Sequence, residues 1–382
     1  MKILVSAGEP SGDRYAAGLV HALARRLPEA EFFGCTGMEM QAAGVRTVAD
    51  SAALSVVGLV EVVGHLPAIW REFRRLVDAA RRERPAAAVL TDSAAFHLRV
   101  AERLRRMGIP VFHLVAPQAW AWREGRVRQL RRNVTELHCI FPFEEDFFRA
   151  RGVNAFYIGH PLARLAKPER SREEFFARHR IPADRPLVTL CPGSRRGEIA
   201  RHMPVLREAV ERVLADRACT FLLAAPAGSA QRFGAGFFEP LCGAGRVRYC
   251  EGETRDAMAH ADLTLAASGT VTTEAALLGA PVVIFYCVNG LTWRLGRPFV
   301  RVPFFSMVNL VAGRAVVPEL IQNECTGPRL AQEALRLLAD QDARANLRAR
   351  LFEFRTALEA AGDPFETSAA RIAAYLRREV FA

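Results

Sequence analysis

The stretch LTLAASGTVTTEAALLGAPVVIFY, Leu263 to Tyr286, decides how this chain folds. A short apolar run, Leu263 to Ala267, leads into Ser268-Gly269-Thr270, then a helical run, then a second strand-like run. Gly279-Ala280-Pro281 ends the helix, because a stop signal is followed by a residue that cannot continue it. The pattern is strand–loop–helix–strand, with the helix starting directly after a Ser-Gly-Thr turn. The free N–H groups and partial positive charge at such a start favour a phosphate. Glu274 lies in the first turns of that helix, where its carboxylate can accept hydrogen bonds from sugar hydroxyls. A buried βαβ corner with a solvated glutamate gives the same pattern, so this stretch alone leaves both readings open.

Working outward, the same alternation recurs on both sides. Lys2–Ala7, Ala87–Thr91, Val111–Val115 and Leu137–Phe141 read as strands, with helical spacing after Asp13 and over Leu98–Met107. A charged, proline-punctuated segment follows, and the alternation restarts with Leu187–Cys191, Thr220–Ala225, Val247–Cys250, Leu263–Ala267 and Val282–Tyr286. Apolar runs separated by helices indicate parallel, doubly wound sheets. The expected organisation is a first Rossmann-like domain over 1–165, a linker over 166–186, a second Rossmann-like domain over 187–355 and helices over 356–382. Those last helices either return to cover the first domain or exchange between subunits of an oligomer.

Composition narrows the class. The 382 residues are 51% hydrophobic, enough for two ordinary cores. Eight cysteines without a Cys-x-x-Cys pair suit a reducing compartment. The first apolar run is too short for a signal peptide, and no run of about 18 apolar residues suggests a membrane span. The net charge of +11 suits an anionic partner, although an arginine-rich composition also follows from base bias in a genome. Zinc-finger spacing, RNP-type strands and basic heptads are absent, which argues against nucleic acid. With no H-E-x-x-H or paired Cys/His spacing, and no D-x-D pair of the kind that holds a metal under a nucleotide diphosphate, there is no sign of a resident metal, and no cofactor is expected.

Ligands of open α/β sheets bind beyond the carboxyl ends of the strands, so the loops after strands are informative. Gly8-Glu9-Pro10-Ser11-Gly12-Asp13 has two glycines that let backbone approach a ligand, while Glu9 and Asp13 bring carboxylates; Asp13 also suits a helix cap. Asp92-Ser93 offers either a general base or an N-cap pair. The loop Ala116 to Arg123, with Gln118, Trp120, Trp122 and Arg123, suits a sugar or acyl chain, or completes a core. At Cys191-Pro192-Gly193-Ser194-Arg195-Arg196-Gly197-Glu198, amides, a helix start and two guanidiniums suit a diphosphate. Val56 to Ala80 carries an apolar stripe at Ile69, Trp70, Phe73, Leu76 and Val77, flanked by Arg71, Arg74 and Arg75. It reads as an interfacial helix on anionic lipid or as a helix packed on its own sheet.

Taken in order, AGEPSGD (Ala7 to Asp13), APQAWAWR (Ala116 to Arg123), FPFE (Phe141 to Glu144), IGHPL (Ile158 to Leu162), PGSRRGEI (Pro192 to Ile199), ASGTVTTE (Ala267 to Glu274) and PELIQ (Pro318 to Gln322) resemble the lipid-A-disaccharide synthase family. The resemblance implies an inverting glycosyltransferase of GT-B fold, two Rossmann-like domains facing across a cleft with a helical tail. It implies transfer from UDP-2,3-diacylglucosamine to 2,3-diacylglucosamine 1-phosphate (lipid X), giving a β-1,6 disaccharide and UDP. By the same resemblance Asp92 is the base on the acceptor hydroxyl and Glu9 the second candidate. Ser11, Asp13, Gln118, Trp120 and Arg123 fall on the acceptor side. Gly193, Ser194, Arg195, Ser268, Gly269, Thr270, Glu274 and Asn309 fall on the UDP side. The implied location is cytoplasmic, peripheral on the inner face of the inner membrane.

Two departures lie on the acceptor side: Ala94 and His97 replace the family's Pro and Asn after Asp-Ser, and Ala116 replaces its Ser. Other readings are a UDP-N-acetylglucosamine 2-epimerase or cell-wall N-acetylglucosaminyltransferase on the same fold, a basic nucleic-acid clamp, and an inactive nucleotide-sugar sensor.

Overall fold

The computed structural model describes residues 1–54, 59–121, 124–243, 245–300, 302–359 and 362–380. The chain divides into two units, Met1–Pro161 with Leu358–Ala382, and Leu162–Ala357.

The first unit is built on seven parallel strands in the order β3-β2-β1-β4-β5-β6-β7. They are β1 (Lys2–Ala7), β2 (Glu31–Thr36), β3 (Arg46–Asp50), β4 (Ala87–Thr91), β5 (Val111–Leu114), β6 (Glu136–Cys139) and β7 (Ala155–Tyr157). Both faces of β1, β4 and β5 are buried, which is why those strands read as unbroken apolar runs. The sequence missed β2, β3 and β7, because β3 and β7 are short edge strands and Gly34 interrupts β2. That glycine lies beside a register shift, and a Cβ there would stand 1.6 Å from the Val5 carbonyl oxygen. Helices α1 (Pro10–Arg26), α2 (Met38–Ala42), α3 (Leu59–Glu83) and α4 (Ala94–Arg106) fill the connections up to β5.

The second unit carries six parallel strands in the order β10-β9-β8-β11-β12-β13. These are β8 (Leu187–Cys191), β9 (Thr220–Ala225), β10 (Val247–Glu251), β11 (Leu263–Ala267), β12 (Val282–Tyr286) and β13 (Glu319–Ile321). Only the three-residue β13 escaped the sequence reading. The segment expected as a linker folds onto this unit. Asp256 takes the amides of Glu169 and Arg170, and Glu253 takes His179. The helix Arg172–Arg178 opens with a capping box between Ser171 and Glu174.

The helix Pro364–Val380 packs on the first unit of the same chain. Arg371 lies 3.6 Å over the Phe156 ring and donates to both carboxylate oxygens of Glu136 at 2.5 and 2.7 Å. Buried His138 bridges Glu136 and Ser368. Burial opposes ionisation of Glu136, but the Arg371 and His138 contacts outweigh it and hold its carboxyl at about 2. Arg371→Ala is expected to destabilise the first unit by about 2 kcal/mol in denaturant titrations near neutral pH. Because the depressed carboxyl stabilises the fold above its usual range and loses that contribution as pH falls towards 2, the difference from wild type should shrink on acidification.

Candidate active site

Strand order reverses between β1 and β4 in the first unit, and between β8 and β11 in the second. At such a point the two following loops diverge to opposite faces and leave a crevice at the carboxyl ends of the strands. Four of the loops singled out from the sequence follow those four strands, and the loop Ala116 to Arg123 follows β5.

In the first unit, α1 starts at Pro10, whose fixed φ suits a first helical position. The amides of Gly8 and Glu9 donate to the Asp92 carboxylate, Oδ1 at 3.0 Å and Oδ2 at 3.2 Å. Asp92 and Ser93 both take positive φ, 58° and 33°, a left-handed turn that swings the carboxylate back over the first loop. Neither side chain caps α4, so the N-cap reading of this pair does not hold. The glycines make the seat. A Cβ on Gly12 would stand 1.5 Å from Asp92 Oδ2, and one on Gly8 2.2 Å from Ser93 Oγ. Burial, and then the negative charge of Glu9, raise the Asp92 carboxyl well above the ordinary range, against the bonds that stabilise its anion.

Ser11 is half-buried beside this seat. Asp13 departs from expectation. It does not cap its own helix, since Glu9 is the N-cap; its carboxylate takes the amides of Gly37 and Glu39 at 2.7 and 2.9 Å and so caps α2. Gln118 is exposed after β5, whereas Trp120 is half-buried and donates its Nε1–H to Glu144 at 3.1 Å. Glu144 is almost fully buried, also takes the Ile140 and Phe141 amides, and is pushed by burial to about 7. Trp122 and Arg123 lie outside the described residues.

In the second unit, Gly193, Ser194 and Arg195 follow β8, and the Arg195 side chain is exposed at the start of a 21-residue helix. Two features differ from expectation. Arg196 turns away to the Phe233 carbonyl at 2.9 Å, so one guanidinium, not two, stands at the loop. Glu198 occupies the loop amides, accepting from Ser194 at 3.0 Å and Arg195 at 3.4 Å. Buried His202 donates Nδ1–H to the Pro192 carbonyl at 2.8 Å and accepts the Cys287 amide at Nε2, tying this loop to the end of β12.

Beside it, β11 delivers Ser268 and Gly269 to the helix Thr270–Leu277, whose first residue is exposed. Glu274 is held by Arg255 at 3.2 Å. Asn309 is buried and its amide is saturated: it donates to the Val317 carbonyl and Glu319 and accepts the amides of Val316 and Val317. It fixes the loop rather than offering a free polar group. Glu198, Glu144 and Glu319 stood inside quoted motifs without being singled out; nothing in the sequence marked Arg255.

The α3 stripe divides. Phe73, Leu76 and Val77 are buried in the first unit's core, as a helix on its own sheet requires, while Leu66 and Trp70 are 50% and 48% exposed. Trp70 stacks on Phe73 and lies under Arg74, and an open depression of about 500 Å³ there is lined by Pro67, Trp70, Arg71, Arg74 and Arg82. Val56 and Val57 lie outside the described residues, as do the side chains of residues 59–65.

Two α/β units, each on a parallel sheet, place the chain in the GT-B fold class. Among solved structures, UDP-GlcNAc 2-epimerase from Neisseria meningitidis bound to UDP-GlcNAc aligns with TM-score 0.65 at 11% identity, over 99% of this chain and 100% of that one. The calicheamicin glycosyltransferase CalG4 aligns with TM-score 0.63 at 17% identity, over 99% and 98%. Sequence comparison goes further. The model of the lipid-A-disaccharide synthetase family matches residues 3–373. The lipid-A-disaccharide synthase of Solibacter usitatus is 59% identical over 94% of this chain and 93% of its own length. That of Koribacter versatilis is 40% identical over 98% and 97%. The chain belongs to the lipid-A-disaccharide synthase family.

Gly12→Ala is expected to displace the Asp92 carboxylate and lower turnover about 100-fold with the fold intact, read as activity beside a thermal melt.

Proposed function

We propose that this protein is a hexosyltransferase that joins UDP-2,3-diacylglucosamine to lipid X, forming the β-1,6 lipid A disaccharide 1-phosphate and UDP. Family membership supports the reaction and does not favour the epimerase or cell-wall transferase reading. The observation that carries the chemistry is the amide-held, half-buried Asp92 beside Glu9. A carboxyl with raised proton affinity is suited to take a proton from a sugar hydroxyl. In the proposed step the acceptor's 6-hydroxyl oxygen bonds to the anomeric carbon as the bond to the UDP oxygen breaks, with inversion. The hydroxyl proton passes to Asp92 and the electron pair leaves on the diphosphate. In the second unit, the exposed Arg195 and the amides at Thr270 are suited to take up that charge, and Glu274 is suited to ribose hydroxyls. Asn309 and Asp13 serve as positioning residues, since their polar atoms are already used.

A second part of the reading concerns the surface. Both substrates carry acyl chains, and the exposed Leu66 and Trp70 among Arg71, Arg74 and Arg82 suit the boundary of an anionic lipid layer. We assign this face to peripheral contact with such a membrane from the cytoplasmic side.

The deciding experiment is UDP release from UDP-2,3-diacylglucosamine with and without lipid X, in detergent and in the presence of EDTA. Release dependent on lipid X supports the proposal; release without it, or none with the nucleotide bound, overturns the acceptor assignment. Asp92→Asn should reduce turnover at least about 1000-fold with UDP affinity unchanged, and Arg195→Ala should weaken UDP binding roughly 10- to 100-fold by calorimetry. Because the base works only when ionised and its carboxyl lies high, kcat/KM should fall on the acid side above the ordinary carboxylate range. Glu9→Gln removes a like charge and should move that limb to lower pH. Trp70→Ala with Arg74→Glu should reduce sedimentation with phosphatidylglycerol vesicles, and equal binding to phosphatidylcholine vesicles would refute an electrostatic surface.

A further inference from the structure

Asp92 and Ser93 are consecutive non-glycine residues in the left-handed region, a conformation that surrounding contacts must enforce. The side chain of Asp92 is held from one side by the amides of Gly8 and Glu9. Its backbone is held from the other side by a residue to which no role has been given. His97, in the first turn of α4 and fully buried, places Nδ1 3.0 Å from the Asp92 carbonyl oxygen. Its Nε2 lies 2.8 Å from Oγ of Ser6, which is itself buried on β1. A carbonyl only accepts, so Nδ1 carries the proton and Nε2 accepts from the Ser6 hydroxyl. The imidazole is a strut across the switch point, fixing the β4–α4 turn to β1.

We propose that His97 is the positioning residue that orients Asp92 for proton transfer, through the Asp92 carbonyl and without touching substrate. The assignment rests on the base role proposed for Asp92. Three further features support it. Phe96 sits edge-on to the ring at 5.2 Å and fixes its plane. The ring nitrogen also lies 4.0 Å from Asp92 Oδ1, so ring and carboxylate are adjacent but not bonded. Burial lowers the imidazole to about 4, so it stays neutral and keeps a single tautomer through the working range. The sequence alone presented His97 as a departure after Asp-Ser; the geometry gives it a donor's task. Only the N–H at the Nδ1 position is needed for that task, and an asparagine amide can present one there.

The test compares His97→Leu, His97→Asn and Asp92→Asn in the UDP-release assay, with thermal melts to establish that each is folded. The expected result is that His97→Leu lowers kcat about 10- to 100-fold while KM for the UDP-sugar stays within about twofold, because misplacing a reacting group acts on the chemical step. His97→Asn should recover most of that loss. A His97→Leu enzyme with unchanged kcat, beside an inactive Asp92→Asn, overturns this inference alone. Loss of kcat in Leu and Asn variants alike, with equally lowered melts, also overturns it and leaves a packing role. An active Asp92→Asn instead overturns the base reading on which the inference stands.

Discussion

One carboxylate taking two backbone amides organises the first unit. The Gly8 and Glu9 amides at the end of β1 meet Asp92 at the end of β4, the neighbouring strand across the reversal of strand order. A carboxylate largely withdrawn from water is expensive to leave unpaired, so it must be hydrogen-bonded, remain protonated, or both. Two otherwise unconnected features follow from that constraint: the left-handed pair Asp92 and Ser93, and the side-chain-free positions 8 and 12. Each allows two loops to approach more closely than ordinary side chains permit.

The second unit solves a related problem with its own carboxylates. Glu198 sits on the amides of the loop after β8, and Glu319 holds Asn309 and the amides of Phe305 and Ser306. Both groups satisfy donors that would otherwise be orphaned at loop and helix starts. The loops therefore draw their shape from the protein's own groups, and preorganised donors need little rearrangement when charge arrives. Arg195 and Thr270, by contrast, are exposed at the helix starts after β8 and β11.

Much of this was legible in the sequence, for identifiable reasons. Central strands such as Leu187–Cys191 and Leu263–Ala267 are buried on both faces, so selection for apolar residues is continuous along them. The loops after β8 and β11 were legible as loops leading into helix starts, because glycine and a helix start leave a local signature. The edge strands β3, β7 and β13 were not, since three to five residues with one neighbour carry little apolar signal. The α3 stripe was legible as a stripe but not as two surfaces, because spacing does not tell which apolar residues already have a core to face.

The sequence by itself therefore determined the alternation of strands and helices, the family, and which loops carry carboxylates and arginines, all properties of local order along the chain. Tertiary structure decided what each polar group is for. Asp13 became a cap for a helix 25 residues away, Arg196 turned to a neighbouring carbonyl, and Asn309 spent its whole amide on its own loop. His97 became the strut beneath Asp92. Hydrogen bonds are allotted by distances of about 3 Å between groups far apart in sequence. Only the packed sheet brings those groups together.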